Sequence, residues 1–424
     1  MADPIHFADP FWEDPSGRSA PKKSFEHGRI SFAALSSRPI HTADLDIVGQ
    51  GTIAVKSKTT KTIEITVSTH YSDPMLILRI TQKDAVFYKK SGDEEVLTSK
   101  AVKNEGSLYI EEVAPDDGTV YWLSIDRSNR ILRYGKYYTW NALTLREVEL
   151  NANSGKWLEN LTNVQVKDGS EAPFFTIKPL PVTMDIPPIV VGNEAVSLRQ
   201  LDLAAVTIWA NLPEACRKLY HNIAGPKIAL EAEFKELADT IHESVMTEGR
   251  FAYKLLRKKC KTPQDWPNTY LRITIGSAQG NSPGIPYVME IWPPGHKSPI
   301  HDHGNACAVI RVLSGSIRCT WYDTLVTGRT PHSLGPPLEL KKDMVTWLGD
   351  NQYQIHELEN KSDRTCVTLQ CYAFSKDDKI HKEQFDFLKN GQRMGFTPDS
   401  DYTFAKFCEE MEKECPQKTP GLLP

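Results

Sequence analysis

The chain has 424 residues, 50 Lys and Arg against 54 Asp and Glu, a formal net charge of −4, and 40% hydrophobic residues. This is an ordinary soluble globular composition, and its near-neutral balance gives no electrostatic ground for nucleic acid or an anionic membrane as partner. No apolar run approaches the ~18 residues of a bilayer span, and the length favours at least two domains over a single core.

The start of the chain, Met1-Ala2-Asp3-Pro4-Ile5-His6, has neither the basic residues nor the apolar core of a secretory signal. All eight cysteines lie from Cys216 onward without paired spacing. Reduced thiols in a cytoplasmic protein are therefore expected. Asn160-Leu161-Thr162 and Asn360-Lys361-Ser362 fit the glycosylation pattern and are expected to be silent there.

Residues 1–24, rich in Pro, Asp, Ser and Lys, read as a flexible arm. From 25 to 150 strand follows strand: Gly51–Lys56, Lys61–Val67, Met75–Ile80, Thr119–Ile125 and Arg130–Tyr134. Ser91-Gly92-Asp93 and Pro115-Asp116-Asp117-Gly118 supply turns between them. An antiparallel β-sandwich is expected. Its aromatics, Tyr121, Trp122, Tyr134, Tyr137, Tyr138 and Trp140, have two readings: a groove for a protein or carbohydrate, or sandwich packing, which is preferred. Residues 151–196, with Pro173, Pro179, Pro181, Pro187 and Pro188, read as a proline-stiffened linker.

Helical periodicity covers 197–262, with a start at Pro213-Glu214-Ala215 and an interruption at Gly249. Strands resume after Pro263 and Pro267 and run to about Phe374, in a domain bounded at 263–390. Helical character is read over 376–415 with Phe385, Phe387 and Leu388 as its apolar face, and residues 391–424 form the C-terminal tail.

Pro293-Pro294-Gly295 delivers the chain into Ile300-His301-Asp302-His303-Gly304. On a strand His301 and His303 emerge on one side and Asp302 on the other. A third imidazole follows in Tyr353-Gln354-Ile355-His356. A His-x-His strand with a later His-bearing strand is the arrangement of a metal-binding cupin barrel, so His301, His303 and His356 are the candidate ligands. The plain alternative leaves them as surface or core histidines. His296 is assigned to orienting the loop, and His332 and His381 to polar loops or the tail. An Arg such as Arg272, on the strand Tyr270–Ile275, is by residue type more often a rim residue, and Trp292 a packing residue.

Gly295-His296, Ile300-His301-Asp302-His303, Leu313-Ser314-Gly315, His356-Glu357-Leu358-Glu359-Asn360 and Val367-Thr368-Leu369-Gln370-Cys371-Tyr372, with Tyr270-Leu271-Arg272 and Ile291-Trp292 upstream, resemble the cysteine dioxygenases over roughly residues 200–390. The resemblance implies a C-terminal cupin (jelly-roll) β-barrel, so that the whole chain is mainly β: sandwich, helical segment, barrel. It implies Fe(II) on His301, His303 and His356, a small thiol and O2 as substrates, and a sulfinic acid product. Three neutral imidazoles leave the ion its full +2 charge, which suits a thiolate; zinc would also accept such ligands. The resemblance further gives Arg272 a substrate carboxylate to clamp, with Tyr270 and Trp292 beside it, and Tyr372 the reacting end to position. L-cysteine is then the expected substrate. The alternatives are another small mercapto-acid, or a non-catalytic metal-binding cupin joined to an interaction module. Two positions depart from the family: Gln370 replaces a histidine, and Ala308, with Cys307 beside it, stands where the family has a cysteine linked to the tyrosine.

Overall fold

The computed structural model describes residues 29–30, 41–70, 73–102, 109–110, 118–192, 194–224, 230–275, 287–304, 306–328, 330–349, 352–373, 385–396 and 399–414. The expected arm at 1–24, most of the Pro115–Gly118 turn and His381 lie outside them. The fold is mainly β, as expected, in four sheets.

The first two sheets form the N-terminal sandwich. One runs in the order Arg29–Ile30, Phe174–Lys178, Gly51–Ser57, Thr119–Asp126, Ile131–Lys136, Thr144–Glu149 and Lys100–Ala101. The other runs His41–Asp44, Asn163–Lys167, Ile63–Ser68, Met75–Ile80, Ala85–Ser91 and Asp93–Leu97. Period-two alternation explains the packing. Ile63, Ile65 and Val67 point inward beside Leu76, Leu78 and Ile80, and face Ile53, Val55 and Leu123 of the other sheet within one core. Tyr121, Trp122, Tyr134 and Trp140 are buried, in line with packing rather than an open groove.

The linker expected at 151–196 is corrected by this topology. Asn163–Lys167 and Phe174–Lys178 are strands of the sandwich, one in each sheet, and Ile189–Val191 belongs to a C-terminal sheet. Prolines had obscured the alternation of Asn163-Val164-Gln165-Val166-Lys167. The true connection, Pro179 to Pro188, is fixed at both ends. The Asp185 carboxylate accepts from the Asn141 and Ala142 amides at 2.8 and 2.9 Å. On the other side Trp347 Nε1 donates to Pro187 O at 2.9 Å and Thr346 Oγ1 to Pro188 O at 2.8 Å. Ala54, Trp122, Trp140 and Leu143 of the sandwich share a core with Trp347, Leu348 and Tyr353 of the C-terminal part.

Helices occupy much of the described part of 197–262, although Thr207–Ile208 there is a strand of a C-terminal sheet. Glu214–Ile223 buries Cys216, Leu219, Tyr220 and Ile223, one face at helical spacing. Leu230–Met246 and Phe251–Lys259 are separated at Gly249, whose φ of +86° favours glycine. Ile241, Val245, Ala252 and Leu256, with Phe407 and Met411 of the helix Phe404–Glu414, cover Leu271, Ile273, Met289, Ile291 and Val367.

Those strand residues belong to an eight-stranded sheet ordered Thr207–Ile208, Ile189–Val191, Val345–Leu348, Cys307–Ser314, Cys366–Ala373, Tyr287–Trp292, Leu271–Ile275 and Tyr402–Thr403. The fourth sheet is Leu338–Lys341, Ser316–Trp321, His356–Glu359, His301–Asp302, Phe385–Lys389 and Gln392–Phe396. Trp292, Val312 and Cys366 of the first pack against Ile317, Cys319 and Leu340 of the second, giving the double-sheet jelly-roll form of the cupin. Gly315, at φ +73°, turns the chain between sheets where an added Cβ would meet Thr365 O at 2.8 Å.

The helical tail read over 376–415 is also corrected. Phe385–Lys389 and Gln392–Phe396 pair as an antiparallel hairpin, and the helix begins only at Phe404. Asn390 and Gly391 both have positive φ, 53° and 76°, the turn that Asn-Gly favours between strands. No helix among the described residues is long and apolar enough to cross a membrane.

Candidate metal centre

Two short strands build the histidine cluster. His301 stands directly opposite His356 in antiparallel register, their ring centroids 4.5 Å apart. His303, just past the strand end, is held by its backbone amide, which donates to Gln354 Oε1 at 3.1 Å. The Gln354 amide nitrogen donates in turn to Ala306 O at 2.6 Å and to Gly349 O, fixing the turn that carries His303. The three imidazoles are buried and their ligand atoms all lie within 4.8 Å of one another.

The tautomers follow from the neighbours. His301 Nδ1 lies 2.9 Å from Pro299 O, and His356 Nδ1 3.0 Å from Gln354 O and 3.2 Å from Tyr353 O. A carbonyl accepts, so both Nδ1 atoms carry hydrogen and both Nε2 lone pairs are left for a metal. His303 Nδ1 is buried with no hydrogen-bond partner among the described residues. Burial lowers the His301 pKa to about 4 and the His356 pKa to about 3, and holds His303 well below the usual range. All three are neutral near pH 7, the ligand form. Three buried neutral imidazoles whose ligand atoms converge in this way fit one divalent ion.

Asp302 points away from the cluster, as the pleat requires. Its Oδ1 accepts from the amides of Gly304 at 3.3 Å and Asp386 at 3.4 Å, and burial pushes its pKa up to about 6. His296 is a loop residue, its Nδ1 2.5 Å from Thr269 O and its ring edge-on to Trp266. His332 is exposed beside Asp323. Asn360 is fully buried, its amide donating to Trp292 O and Arg364 O at 2.8 Å each, so this side chain is unavailable for glycosylation.

The cavity at the cluster is walled by Tyr270 and Trp292, stacked at 4.0 Å, and by Phe385, whose ring lies edge-on to His303 at 4.2 Å. The Phe385 hairpin is thus part of the site, which the sequence reading missed. Period two brings Tyr270 and Arg272, Glu290 and Trp292, and Thr368, Gln370 and Tyr372 to one face of the eight-stranded sheet.

Arg272 is placed otherwise than expected. Directly opposite it in register is Glu290, and Arg272 Nη1 donates to Glu290 Oε1 at 2.8 Å in a buried ion pair. Gln370 Nε2 donates to Glu290 Oε2 at 2.5 Å, and the Tyr372 hydroxyl donates to Gln370 Oε1. Burial pushes the Glu290 carboxyl upward, while Arg272 and Gln370 pull it back. Arg272, the intended carboxylate clamp, therefore already holds a carboxylate of its own chain. Sequence reasoning passed over Glu290, although a lone acid inside Tyr287-Val288-Met289-Glu290-Ile291-Trp292 was a signal.

Residues 267–382 match the family model of cysteine dioxygenase type I. The C-terminal part of the chain therefore carries a domain of that family, and the matched residues include the three histidines, Arg272, Glu290 and Tyr372. Among solved structures, oxalate oxidase in complex with glycolate is similar at 16% identity and a TM-score of 0.21, over 26% of this chain and 52% of that one. The chain thus spans about half the length of that relative. A Cupin_2 domain of an XRE family transcriptional regulator from Enterobacter cloacae aligns at 16% identity and TM-score 0.19, over 25% of this chain and 96% of its own. A Cupin 2 conserved barrel domain protein from Salinispora arenicola aligns at 13% identity and TM-score 0.20, over 26% and 78%. In the dioxygenase-type domain Ala308 pairs with Tyr372, and Cys307 with Ala373.

Proposed function

We propose that the C-terminal domain is an Fe(II)-dependent thiol dioxygenase that converts a small thiol to its sulfinic acid. The observation that carries this reading is the buried cluster of three neutral imidazoles within the segment matched to the cysteine dioxygenase model. Bound iron would supply a +2 centre that attracts a thiolate and engages O2. The overall change balances without a further reductant: the O–O bond breaks, two S–O bonds form, sulfur gives four electrons to dioxygen, and the thiol proton passes to solvent.

The chain's own residues then have these roles. His301, His303 and His356 hold the ion; the carbonyls of Pro299, Gln354 and Tyr353 orient two of them. Tyr270, Trp292 and Phe385 exclude water from the cavity. Tyr372, in contact with His303 at a ring separation of 5.7 Å, positions the reacting end, with its proton held by Gln370. Arg272 contributes positive charge across the Tyr372 ring, 5.6 Å from its centre. L-cysteine as substrate rests on Arg272 alone, and it is the Glu290 carboxylate that faces the cavity. The described cysteines are all free thiols, which suits a reducing compartment such as the cytoplasm.

Oxygen uptake by the ferrous protein with small thiols, with mass detection of a product two oxygens heavier, tests the reading. Tight iron binding without uptake on any thiol would leave a non-catalytic metal cupin.

A further inference from the structure

We propose that the cavity takes a small aminothiol lacking a carboxylate, and that Glu290 is the residue setting this preference. The inference rests on the thiol dioxygenase reading for what happens at sulfur, but not for what binds.

Glu290 and Arg272 face each other across two adjacent strands, with side chains 6% and 3% exposed. Both carboxylate oxygens accept from fixed donors, Oε1 from Arg272 and Oε2 from Gln370. With Arg272 on one oxygen and Gln370 on the other, Glu290 is the partner that matches the guanidinium charge inside the protein. A substrate carboxylate would have to take Arg272 from Glu290 and leave Glu290 buried without its counterion, the costly way to break such a pair.

An ammonium group asks for no such exchange. Glu290 lines the cavity together with Tyr270, Trp292 and the three histidines. An ionised carboxylate has about four acceptor sites, of which two are used here.

The test is anaerobic calorimetry on the full-length ferrous protein with cysteamine, L-cysteine and 3-mercaptopropionate. Without oxygen, binding is read apart from turnover. Cysteamine is expected to bind at least tenfold more tightly than L-cysteine, with 3-mercaptopropionate weakest. L-cysteine or 3-mercaptopropionate binding as tightly as cysteamine would overturn the assignment, as would binding of none of the three. Glu290→Gln, which leaves Arg272 its charge without a counterion, is expected to bring 3-mercaptopropionate level with or ahead of cysteamine. An unchanged order in that variant, once shown to be folded, would also overturn the role of Glu290. Oxygen is then admitted. The expected binding order with no oxygen consumed would defeat the dioxygenase reading and leave the selectivity standing.

Discussion

Ala308 stands directly across from Tyr372 in the pairing of Cys307–Ser314 with Cys366–Ala373. The register there is unbroken from Cys307 to Val312, with its one irregularity between Val312 and Ser314. Cys307 therefore pairs with Ala373 and turns to the opposite face from Ala308. The sulfur lies on the wrong side of the strand to reach the Tyr372 ring. The expected outcome is an unlinked Tyr372 before and after turnover. Mass spectrometry of tryptic peptides checks it: a Cys307–Tyr372 conjugate, two hydrogens lighter than the sum, would show that the strand is bulged in solution.

The histidines should fail together. His301 and His356 face each other in one strand pair and His303 closes the cluster, so no remaining pair could replace a lost third ligand. Replacing any one with Ala should remove most of the bound iron, by at least tenfold in affinity. Iron content after dialysis against a chelator measures it, and full occupancy in His356→Ala would remove that residue from the site. His296→Ala should keep its iron, since that ring is tied to Thr269 and Trp266.

Much of this was legible because strand periodicity reports directly on faces. The alternation His301-x-His303 needed only the pleat, whereas Tyr270 and Arg272 entered as site residues through the family resemblance. Three features escaped for physical reasons. Phe385, Phe387 and Leu388 are spaced i, i+2, i+3, which satisfies both helix and strand periods over so short a run; Asn390-Gly391 was the better signal. The sandwich strands at Asn163–Lys167 and Phe174–Lys178 are separated by turns among prolines that looked like a linker. The Arg272–Glu290 pair depends on the register between two strands, which no local pattern in either strand specifies.

Lys136 gives the sandwich a pH-dependent stability. It is 1% exposed, with its ammonium 5.5 Å from the Tyr121 ring centre, and burial lowers its pKa from 10.5 to about 7. Between about pH 7 and 10.5 the unfolded chain holds a proton that the folded chain lacks, so stability rises with pH across that window. Below pH 7 the full cost of burying the charge is present. Lys136→Met should therefore stabilise the protein most at pH 6, on the order of 3–5 kcal/mol, and the gain should shrink by half or more by pH 9. Urea unfolding of both proteins at the two pH values checks it; equal gains would mean that the amine is not titrating in this range.

The sandwich should also brace the metal centre, through Trp140 and Tyr353. Tyr353 has a φ of +60°, a conformation that a bulky residue adopts only when its surroundings impose it. Those surroundings come from three parts of the chain. Trp140 of the sandwich meets its ring edge-on at 4.9 Å, and Trp321 and Trp347 of the cupin lie 5.1 and 5.2 Å away. The hydroxyl donates to Ile186 O in the connecting segment. The carbonyl of this same strained residue lies 3.2 Å from His356 Nδ1, so the packing of the ring fixes the orientation of a candidate ligand. Trp140→Ala removes one wall, at a cost of about 3–5 kcal/mol in stability. It should also loosen the metal, with iron lost to a chelator several-fold faster at a temperature where the variant is still folded. Tyr353→Phe keeps the ring and drops only the bond to Ile186, so its iron should leave at close to the original rate. Chelation rates for the two variants separate this coupling from simple destabilisation. A Trp140→Ala protein that is less stable yet holds iron as long as the parent would show that the two domains are joined without one supporting the other's site.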